Sequence, residues 1–224
     1  MRKFDKVEDA IDEISKGRIV IVADDEGREN EGDFVCAAET VTPEIISFMI
    51  NHGRGLVCAP ITQQRARQLQ LKPMLERNTE ATGCSFLMSV DADPSFGVTT
   101  GISAQDRAIT IRRMLDDEAI PADFRRPGHV FPLQARNNGV LERTGHTETA
   151  VDLSRLAGLQ PAGVICEIIL EDGKMARRDE LFRIARQYRL LFITVEQLVD
   201  YVRNERRPVS PSEFIDENVA FAQA

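Results

Sequence analysis

The stretch IVIVADDEGRENEGDFVCAA, residues 19–38, holds two apolar segments on either side of a run of charge. Residues 19–23 and 34–38 consist of β-branched and other apolar side chains, which predicts two short β-strands. The ten residues between them, 24–33, contain six carboxylates, one arginine and two glycines. The stretch therefore predicts two strands joined by an acidic loop.

Helix and strand patterns alternate along the rest of the chain. Apolar residues at helical spacing, preceded by caps such as Thr42, Thr62 and Ser103, predict helices, and the first helix is expected to open at Asp5 and end at Gly17. Helices are expected over residues 5–16, 42–51, 62–69, 103–117, 147–157, 178–188 and 194–205. Further strands are expected over residues 56–59, 85–90, 130–135, 164–170 and 191–194.

These elements interleave without a linker rich in Pro, Gly or Ser, which predicts one domain. The expected fold class is α+β (mixed α/β), a single three-layer domain with a mixed, twisted β-sheet flanked by helices. Pro132 interrupts the 130–135 strand, which predicts an edge strand or a bulge there.

Composition restricts the class of partner. The chain of 224 residues is 42% hydrophobic and 29% charged, with a formal net charge of −8. An acidic protein is a poor match for the phosphate backbone of nucleic acid, which needs a basic surface. Apolar runs such as residues 163–170 are far shorter than the ~20 residues of a membrane span, and the N-terminus lacks the apolar core of a signal peptide. The sequence predicts a cytoplasmic protein that binds neither nucleic acid nor a membrane.

The acidic loop at residues 24–33 has two interpretations. An acidic run taken alone favours a solvated surface loop. Charges this dense repel one another, however, and hard divalent cations with oxygen ligands are a natural compensation. The spacing of the carboxylates does not match an EF-hand.

A second candidate is Arg143-Thr144-Gly145-His146-Thr147, directly before a predicted helix. A glycine, a capping threonine and an arginine at a helix N-terminus predict an anion site, because free backbone N–H groups, the positive end of the helix dipole and a guanidinium converge there. A phosphate would fit such a site, and the alternative is an ordinary capped helix. His146 is either a metal ligand or simply a residue of the first turn.

Two more residues are candidates for proton transfer. Glu167 lies in an apolar strand, where a carboxylate is costly to bury, so it either faces a cleft as a general acid or base or points outward from an edge strand. His129 follows Arg126-Pro127-Gly128 at the start of a strand, a position that either presents a base or is structural. The turn Thr99–Ala104 is a weaker anion-site candidate.

Taken in order along the chain, these motifs resemble those of the 3,4-dihydroxy-2-butanone-4-phosphate synthases, enzymes of the riboflavin pathway. The resemblance covers about residues 5–205. It rests on the acidic loop 24–33, His52-Gly53-Arg54-Gly55-Leu56, Thr99–Ala104 with Asp106-Arg107, Arg126–Val130 and Arg143–Thr147. Gly27 departs from the family pattern, which often has another acidic residue at that position.

The resemblance implies a lyase that converts D-ribulose 5-phosphate into L-3,4-dihydroxy-2-butanone 4-phosphate and formate, assisted by two divalent ions, Mg²⁺ or Mn²⁺, in each active site. Glu29 and His146 would be the metal ligands. The catalytic residues would be His129, Glu167 and Asp33. The substrate would contact Arg28, Glu29, Asp33, Arg143, Thr144, Gly145, His146, Thr147 and Glu167.

The same resemblance implies a homodimer with active sites near the subunit interface. Residues 1–205 would form the single catalytic domain and 206–224 a polar C-terminal tail with Pro208 and Pro211. Some family members carry a fused GTP cyclohydrolase II domain with a cysteine zinc site, and this chain is expected to be monofunctional. Two other hypotheses are a non-catalytic phosphate binder on a similar scaffold and a regulatory protein that retains an inherited pocket.

Overall fold

The computed structural model describes residues 3–205, so the tail predicted at 206–224 lies outside the described residues. In that range the chain forms a single domain, a seven-stranded mixed sheet with helices on both faces, as the sequence predicts. The strands are β1 (Val20–Ala23), β2 (Gly32–Ala37), β3 (Cys58–Ile61), β4 (Val90–Ala92), β5 (Phe124–Gln134), β6 (Gly163–Glu167) and β7 (Phe192–Thr194). The helices are α1 (Val7–Ser15), α2 (Pro43–Phe48), α3 (Gln63–Gln68), α4 (Ala104–Leu115), α5 (His146–Leu156), α6 (Arg178–Tyr188) and α7 (Val195–Glu205).

The sheet order is β4-β5-β3-β6-β2-β1-β7. The pairs β1/β7 and β3/β5 are parallel, and the other neighbours are antiparallel. The predicted unit of two strands and an acidic loop is present, because β1 and β2 pair with Ala23 opposite Gly32. Since β2 begins at Gly32, Asp33 lies inside a strand and not in the loop.

Each face of the sheet has its own core, because side chains alternate between the faces along every strand. Phe34 and Cys36 of β2 pack on the face covered by α2, α3, α4 and α6. Val35 and Ala37 pack on the opposite face, against α1, α5 and α7. Strands such as β1 and β2 are buried on both faces, which accounts for their continuous apolar sequences.

Three of the predicted helix N-caps are present in the structure, and two are not. Oγ of Thr42, Thr62 and Ser103 each accepts a backbone N–H three residues on, at 3.3, 3.1 and 3.0 Å, so these caps are confirmed. Asp5 is not a cap, because its Oδ2 accepts the backbone N–H of Phe192 at 2.7 Å and ties the start of the chain to β7. Helix α5 starts at His146 with Gly145 as its N-cap, so the expected cap by a threonine is wrong.

The strand predicted at 85–90 is also displaced. Phe86 and Leu87 form only isolated bridges, and β4 begins at Val90. Residues 88–89 have no regular structure, so the apolar run at 85–90 does not form one continuous strand.

Strand β5 is longer than predicted and lies inside the sheet, between β4 and β3. Pro132 lies within this strand, where its carbonyl accepts the N–H of Leu87 at 3.0 Å. The irregularity lies upstream of the proline. Val90 pairs with Val130 and Asp91 with Arg125, so residues 126–129 bulge out of the ladder.

Helix α2 continues into a π-helical turn over Met49–Gly53, which ends at Arg54 with a left-handed φ of 67°. This turn directs residues 53–56 against the end of β6. Within residues 3–205, no helix combines the length and the apolar character needed to cross a bilayer.

We expect Leu153→Ala to destabilise the protein by about 2–5 kcal/mol, because it removes a fully buried side chain between α5 and the sheet. The matched control is Leu75→Ala, since Leu75 is 65% exposed and its truncation is expected to cost less than about 0.5 kcal/mol. Urea unfolding measures both values. Equal losses for the two variants would contradict the packing described for α5.

Candidate active site

The acidic loop is a folded unit organised by Asp24, which is 4% exposed. Oδ1 of Asp24 accepts the backbone N–H of Glu31 at 2.9 Å, and Oδ2 accepts that of Glu29 at 3.0 Å. Nη1 of Arg28 lies 2.8 Å from Asp24 Oδ2 and 2.6 Å from Glu29 Oε2. Within the loop, only residues 25–27 are exposed. The loop is therefore not a uniformly solvated surface, and these bonds hold Glu29 in place.

A second contact fastens the loop from the other side. Arg177, the residue before α6, donates from Nη1 to the carbonyl oxygen of Glu29 at 3.1 Å and to that of Asn30. Asn30 has a left-handed φ of 54°, a conformation that Asn adopts more readily than most residues. The loop thus bends back toward the sheet at the residue after Glu29.

A cavity of about 140 Å³ opens beside this loop. Its walls come from the loop, β2, β3, β5, β6, the start of α5 and the segment 80–86. Seven of the predicted site residues line it: Arg28, Glu29, Asp33, Arg143, His146, Thr147 and Glu167. The fold therefore brings the acidic loop and the segment 143–147 to one place.

Asp33 and Glu167 are directly opposite each other on the antiparallel strands β2 and β6. Strand β6 lies between β3 and β2, so Glu167 is not on an edge strand. Its Oε2 accepts the backbone N–H of Leu56 at 2.7 Å. A Cβ on Gly55 would lie 2.4 Å from that oxygen, so only glycine allows this close approach.

His146 enters the cavity from the first turn of α5 and is 6% exposed. Its Nδ1 lies 3.8 Å from Glu29 Oε2 and 3.9 Å from Asp33 Oδ1. Nε2 of His146 and Oδ1 of Asp33 are buried and have no hydrogen-bond partner among the described residues. Burying a polar atom without a hydrogen-bond partner costs free energy. These two atoms therefore indicate a site for a bound group.

Charge and burial shift the pKa values of these groups in different directions. Interaction with His146, together with Arg28, lowers the pKa of Glu29 to about 2. Burial raises the pKa of Asp33 to about 7, and the nearby Glu167 adds to that rise. Burial alone would lower the pKa of His146, but Asp33, Glu29 and Asp24 raise it to about 9. The site therefore holds protons at neutral pH in the absence of a competing cation.

The donor set fits a hard divalent cation. Asp24, Glu29 and His146 each offer a ligand atom, and these atoms lie within 4.8 Å of one another. Both oxygens of Asp24 already accept hydrogen bonds from the loop. Glu29 and His146, with the unpartnered oxygen of Asp33 beside them, are therefore the groups best placed to hold an ion.

The start of α5 is covered on one side by Arg143. Nη1 of Arg143 lies 2.7 Å from Oε2 of the buried Glu148, and its Nε and Nη2 donate to the carbonyl and hydroxyl of Thr82 at 3.0 and 3.1 Å. A Cβ on Gly145 would lie 2.2 Å from Arg143 Nη1. The guanidinium is thus fixed over the N-terminus of the helix, where an anion is favoured.

Three predicted site residues do not line the cavity: Thr144, Gly145 and His129. Thr144 is exposed and Gly145 is buried as the N-cap of α5. His129 lies in the 126–129 bulge of β5, its side chain is 44% exposed, and its Nδ1 is 2.7 Å from Asp91 Oδ2. Within one described chain, His129 is therefore separate from the Asp33 and Glu167 pair.

The cavity also contains residues to which no role was assigned from sequence: Glu31, Cys58, Glu80, Cys84 and Phe86. Glu31 belongs to the acidic loop that the sequence predicts, so the sequence did indicate this residue. Glu80 accepts the backbone N–H groups of Thr82 and Cys84 and organises the wall segment itself. No local pattern marks that segment, because only tertiary packing brings it to the cavity.

Comparison with known proteins identifies the family. The sequence profile of 3,4-dihydroxy-2-butanone 4-phosphate synthase matches residues 8–201. Riboflavin biosynthesis proteins named RibBA from Aquifex aeolicus and Bacillus cereus are 57% and 53% identical over 89% and 92% of this chain, which covers 49% and 51% of theirs. The chain spans about half the length of these curated relatives.

Solved structures agree with the profile. A 3,4-dihydroxy-2-butanone 4-phosphate synthase in complex with two magnesium ions is 44% identical, with a TM-score of 0.85 over 90% of this chain and 98% of that one. A two-domain synthase, RibBX from A. baumannii, is 49% identical, with a TM-score of 0.84 over 88% of this chain and 57% of that one. The chain belongs to the 3,4-dihydroxy-2-butanone 4-phosphate synthase family of riboflavin biosynthesis.

Proposed function

We propose that this protein converts D-ribulose 5-phosphate into L-3,4-dihydroxy-2-butanone 4-phosphate and formate. The observation that carries the proposal is the meeting of Asp33, Glu167, Glu29 and His146 around one cavity. Enolising the ketose, losing a hydroxyl, moving the carbon skeleton and releasing formate all require proton transfer at alcohols or at carbon beside a carbonyl. Adjacent carboxylates in a sheltered cavity suit that task. We propose the cytoplasm as the location of this activity.

The substrate phosphate is assigned to the start of α5. The first N–H groups of a helix have no intrahelical acceptor, and the guanidinium of Arg143, which is paired with Glu148, lies beside them. Thr147 lines the cavity in the first turn. Thr144 and Gly145 would take part through the backbone that shapes this turn.

The proposed metal ligands are Glu29 and His146, with Asp33 close enough to orient substrate or a bound water. Two divalent ions, Mg²⁺ or Mn²⁺, are proposed because a homologous synthase was solved with two magnesium ions and because the donors are carboxylate oxygen and imidazole nitrogen. When bound, such ions lower the pKa of substrate hydroxyls and stabilise negative charge that develops beside the carbonyl.

The side chains of the protein have separate proposed roles. Glu167 is held through Oε2 by the N–H of Leu56, and it lines the cavity together with Asp33. These two carboxyl groups are proposed to accept and return protons at substrate carbon and oxygen. Arg28 holds Glu29 by a 2.6 Å contact and adds a cation near the substrate.

His129 is proposed to act across the interface of a homodimer. It is outside the cavity of its own chain, and its side chain is 44% exposed. A second copy of the chain can supply the ring to the neighbouring cavity if the two subunits pack around the bulge of β5. Such an arrangement places each active site near the subunit interface.

We expect Glu29→Gln to lower kcat/KM for formate release at least about 100-fold, because it removes the charge of a metal ligand. The assay incubates the protein with ribulose 5-phosphate and Mg²⁺. The control is Glu26→Gln in the exposed part of the same loop, which is expected to keep near-normal activity. A folded, metal-loaded wild-type protein that releases no formate would overturn the proposed reaction.

We expect two inactive variants, His129→Gln and Glu167→Gln, to complement each other after subunits are mixed. Activity up to about a quarter of the wild-type value is expected, since half of the dimers would be mixed and each would have one complete site. Sedimentation and mass measurement confirm that mixed dimers form. Mixed dimers without activity, or a monomer under assay conditions, would contradict the shared site.

We expect the metal-free protein to lose folding stability as the pH rises between about 4 and 9. The pKa of Asp33 is raised to about 7 and that of His146 to about 9, so the folded state binds more protons than the unfolded state in this window. The lowered pKa of Glu29 acts in the opposite direction only below that window. Urea unfolding in EDTA measures the trend, and Asp33→Asn should flatten it by at least about 1 kcal/mol, the equivalent of roughly one pKa unit. A slope that is unchanged by this substitution would refute the assignment.

A further inference from the structure

Thr82, in the turn formed by residues 80–84, contacts Arg143 through two oxygen atoms. Nε of Arg143 donates to the carbonyl oxygen of Thr82 at 3.0 Å, and Nη2 donates to its hydroxyl at 3.1 Å. The two residues are 61 positions apart in the chain. Thr82 therefore holds two nitrogens of the guanidinium, while Glu148 accepts from the third, Nη1.

The hydroxyl of Thr82 also donates a hydrogen bond. Its Oγ1 lies 2.9 Å from Oε2 of Glu80, and an ionised carboxylate can only accept. The hydroxyl proton of Thr82 thus points to Glu80, which leaves the lone pairs of Oγ1 for the N–H of Arg143. The three side chains form a hydrogen-bond chain, Glu80–Thr82–Arg143, in which one hydroxyl joins a carboxylate to a guanidinium.

The other contacts of Glu80 keep its carboxyl group charged. Oε2 of Glu80 also accepts the backbone N–H of Thr82 at 3.0 Å and that of Cys84 at 2.6 Å. Burial alone would raise the pKa of Glu80, but these N–H groups and the hydroxyl of Thr82 lower it below its ordinary value. The direction of the hydrogen bond from Thr82 to Glu80 is therefore fixed at neutral pH.

The 80–84 turn is also joined to the start of α5 by Arg136. Nη2 of Arg136 donates to the carbonyl oxygen of Gly83 at 3.4 Å, and its backbone N–H donates to Oε1 of Glu148 at 3.0 Å. Glu148 in turn accepts from Arg143 through its other oxygen. The turn and the first residues of α5 are thus held together on both sides of the guanidinium's contacts.

This arrangement leaves part of the guanidinium available. An arginine has five N–H donors, and three of those of Arg143 meet Thr82 and Glu148. Within residues 3–205, the remaining two, one on Nη1 and one on Nη2, have no acceptor. Arg143 lines the cavity. Two N–H donors on one planar group match two oxygens of a phosphate.

We propose that Thr82 and Glu80 are positioning residues for the substrate phosphate, which fix the guanidinium of Arg143 so that its two remaining N–H groups serve the cavity. The inference rests on the proposed function, in which the phosphate binds at the start of α5. A guanidinium that is already oriented loses less conformational freedom when the phosphate binds. In this assignment a negative charge, that of Glu80, supports the binding of an anion by acting through Thr82 and Arg143.

The hydroxyl is tested by two substitutions of similar shape. Thr82→Val removes it, and Thr82→Ser keeps it. We expect Thr82→Val to raise KM for D-ribulose 5-phosphate about 5–20-fold. We expect kcat to change less than about twofold, because the phosphate is bound equally in the substrate and in the transition state. Thr82→Ser is expected to keep KM within about twofold of the wild-type value. Formate release with Mg²⁺ measures both constants.

The carboxylate is tested by the sign of the effect of Glu80→Gln. Loss of a negative charge at the cavity would, by Coulomb interaction alone, favour the phosphate and lower KM. The hydrogen-bond chain predicts the opposite, because an amide NH₂ replaces one acceptor oxygen and weakens the hold on Thr82. We expect KM to rise at least about threefold. The control is Glu76→Gln, an exposed acid of the neighbouring segment, which is expected to keep a near-normal KM.

The second readout is phosphate affinity without turnover. Inorganic phosphate is titrated into the protein in EDTA by calorimetry. Thr82→Val is expected to raise its Kd by about the same factor as KM, and Thr82→Ser is expected to leave it near the wild-type value. Circular dichroism and urea unfolding establish that the variants are folded.

A normal KM in folded Thr82→Val would overturn the proposal, and so would a lower KM in Glu80→Gln or a loss confined to kcat. Wild-type protein that binds no inorganic phosphate would also overturn it. Failure of the proposed function is seen separately, as wild-type protein that releases no formate. The phosphate affinities of Thr82→Val and Thr82→Ser then still decide whether the hydrogen-bond chain positions Arg143.

Discussion

The antiparallel pairing of β2 with β6 is the constraint on which the site depends. It places Asp33 directly opposite Glu167 on neighbouring internal strands. Two carboxyl groups so close cannot both be charged without compensation. His146 from α5 approaches Asp33, and the N–H of Leu56 binds Glu167. These contacts compensate the two neighbouring carboxyl groups.

The net negative charge of the protein is compatible with the proposed anionic substrate because the charge is unevenly distributed. Of the net charge of −8, residues 24–33 contribute −5, from six carboxylates and Arg28. The phosphate is proposed to bind elsewhere, at the start of α5, where Arg143 is held by Glu148. The proposed reaction uses both regions, one for divalent cations and one for the phosphate, and residues of both line the same cavity.

Local patterns predicted much of the fold because they report local physics. The hairpin around the acidic loop, the caps at Thr42, Thr62 and Ser103 and the three layers all follow from periodicity and capping. The predictions were wrong where contacts between residues far apart in the sequence determine the local structure. Asp5 looks like a helix cap, but β7 lies close enough to take its carboxylate. The bulge expected at Pro132 occurs at residues 126–129, because pairing with β4 shifts there.

The sequence by itself determined which chemical groups are present and which elements hold them. It marked the acidic loop, the segment 143–147 and Glu167 as candidates, because unusual residue types stand out against local patterns. Only the tertiary structure decided which of these share a cavity. Leu56 and Glu167 are 111 residues apart in the chain, and their contact depends on strand order and register. The same packing separates His129 from the cavity and gives it Asp91 as a partner, since burial and distance are properties of the folded chain.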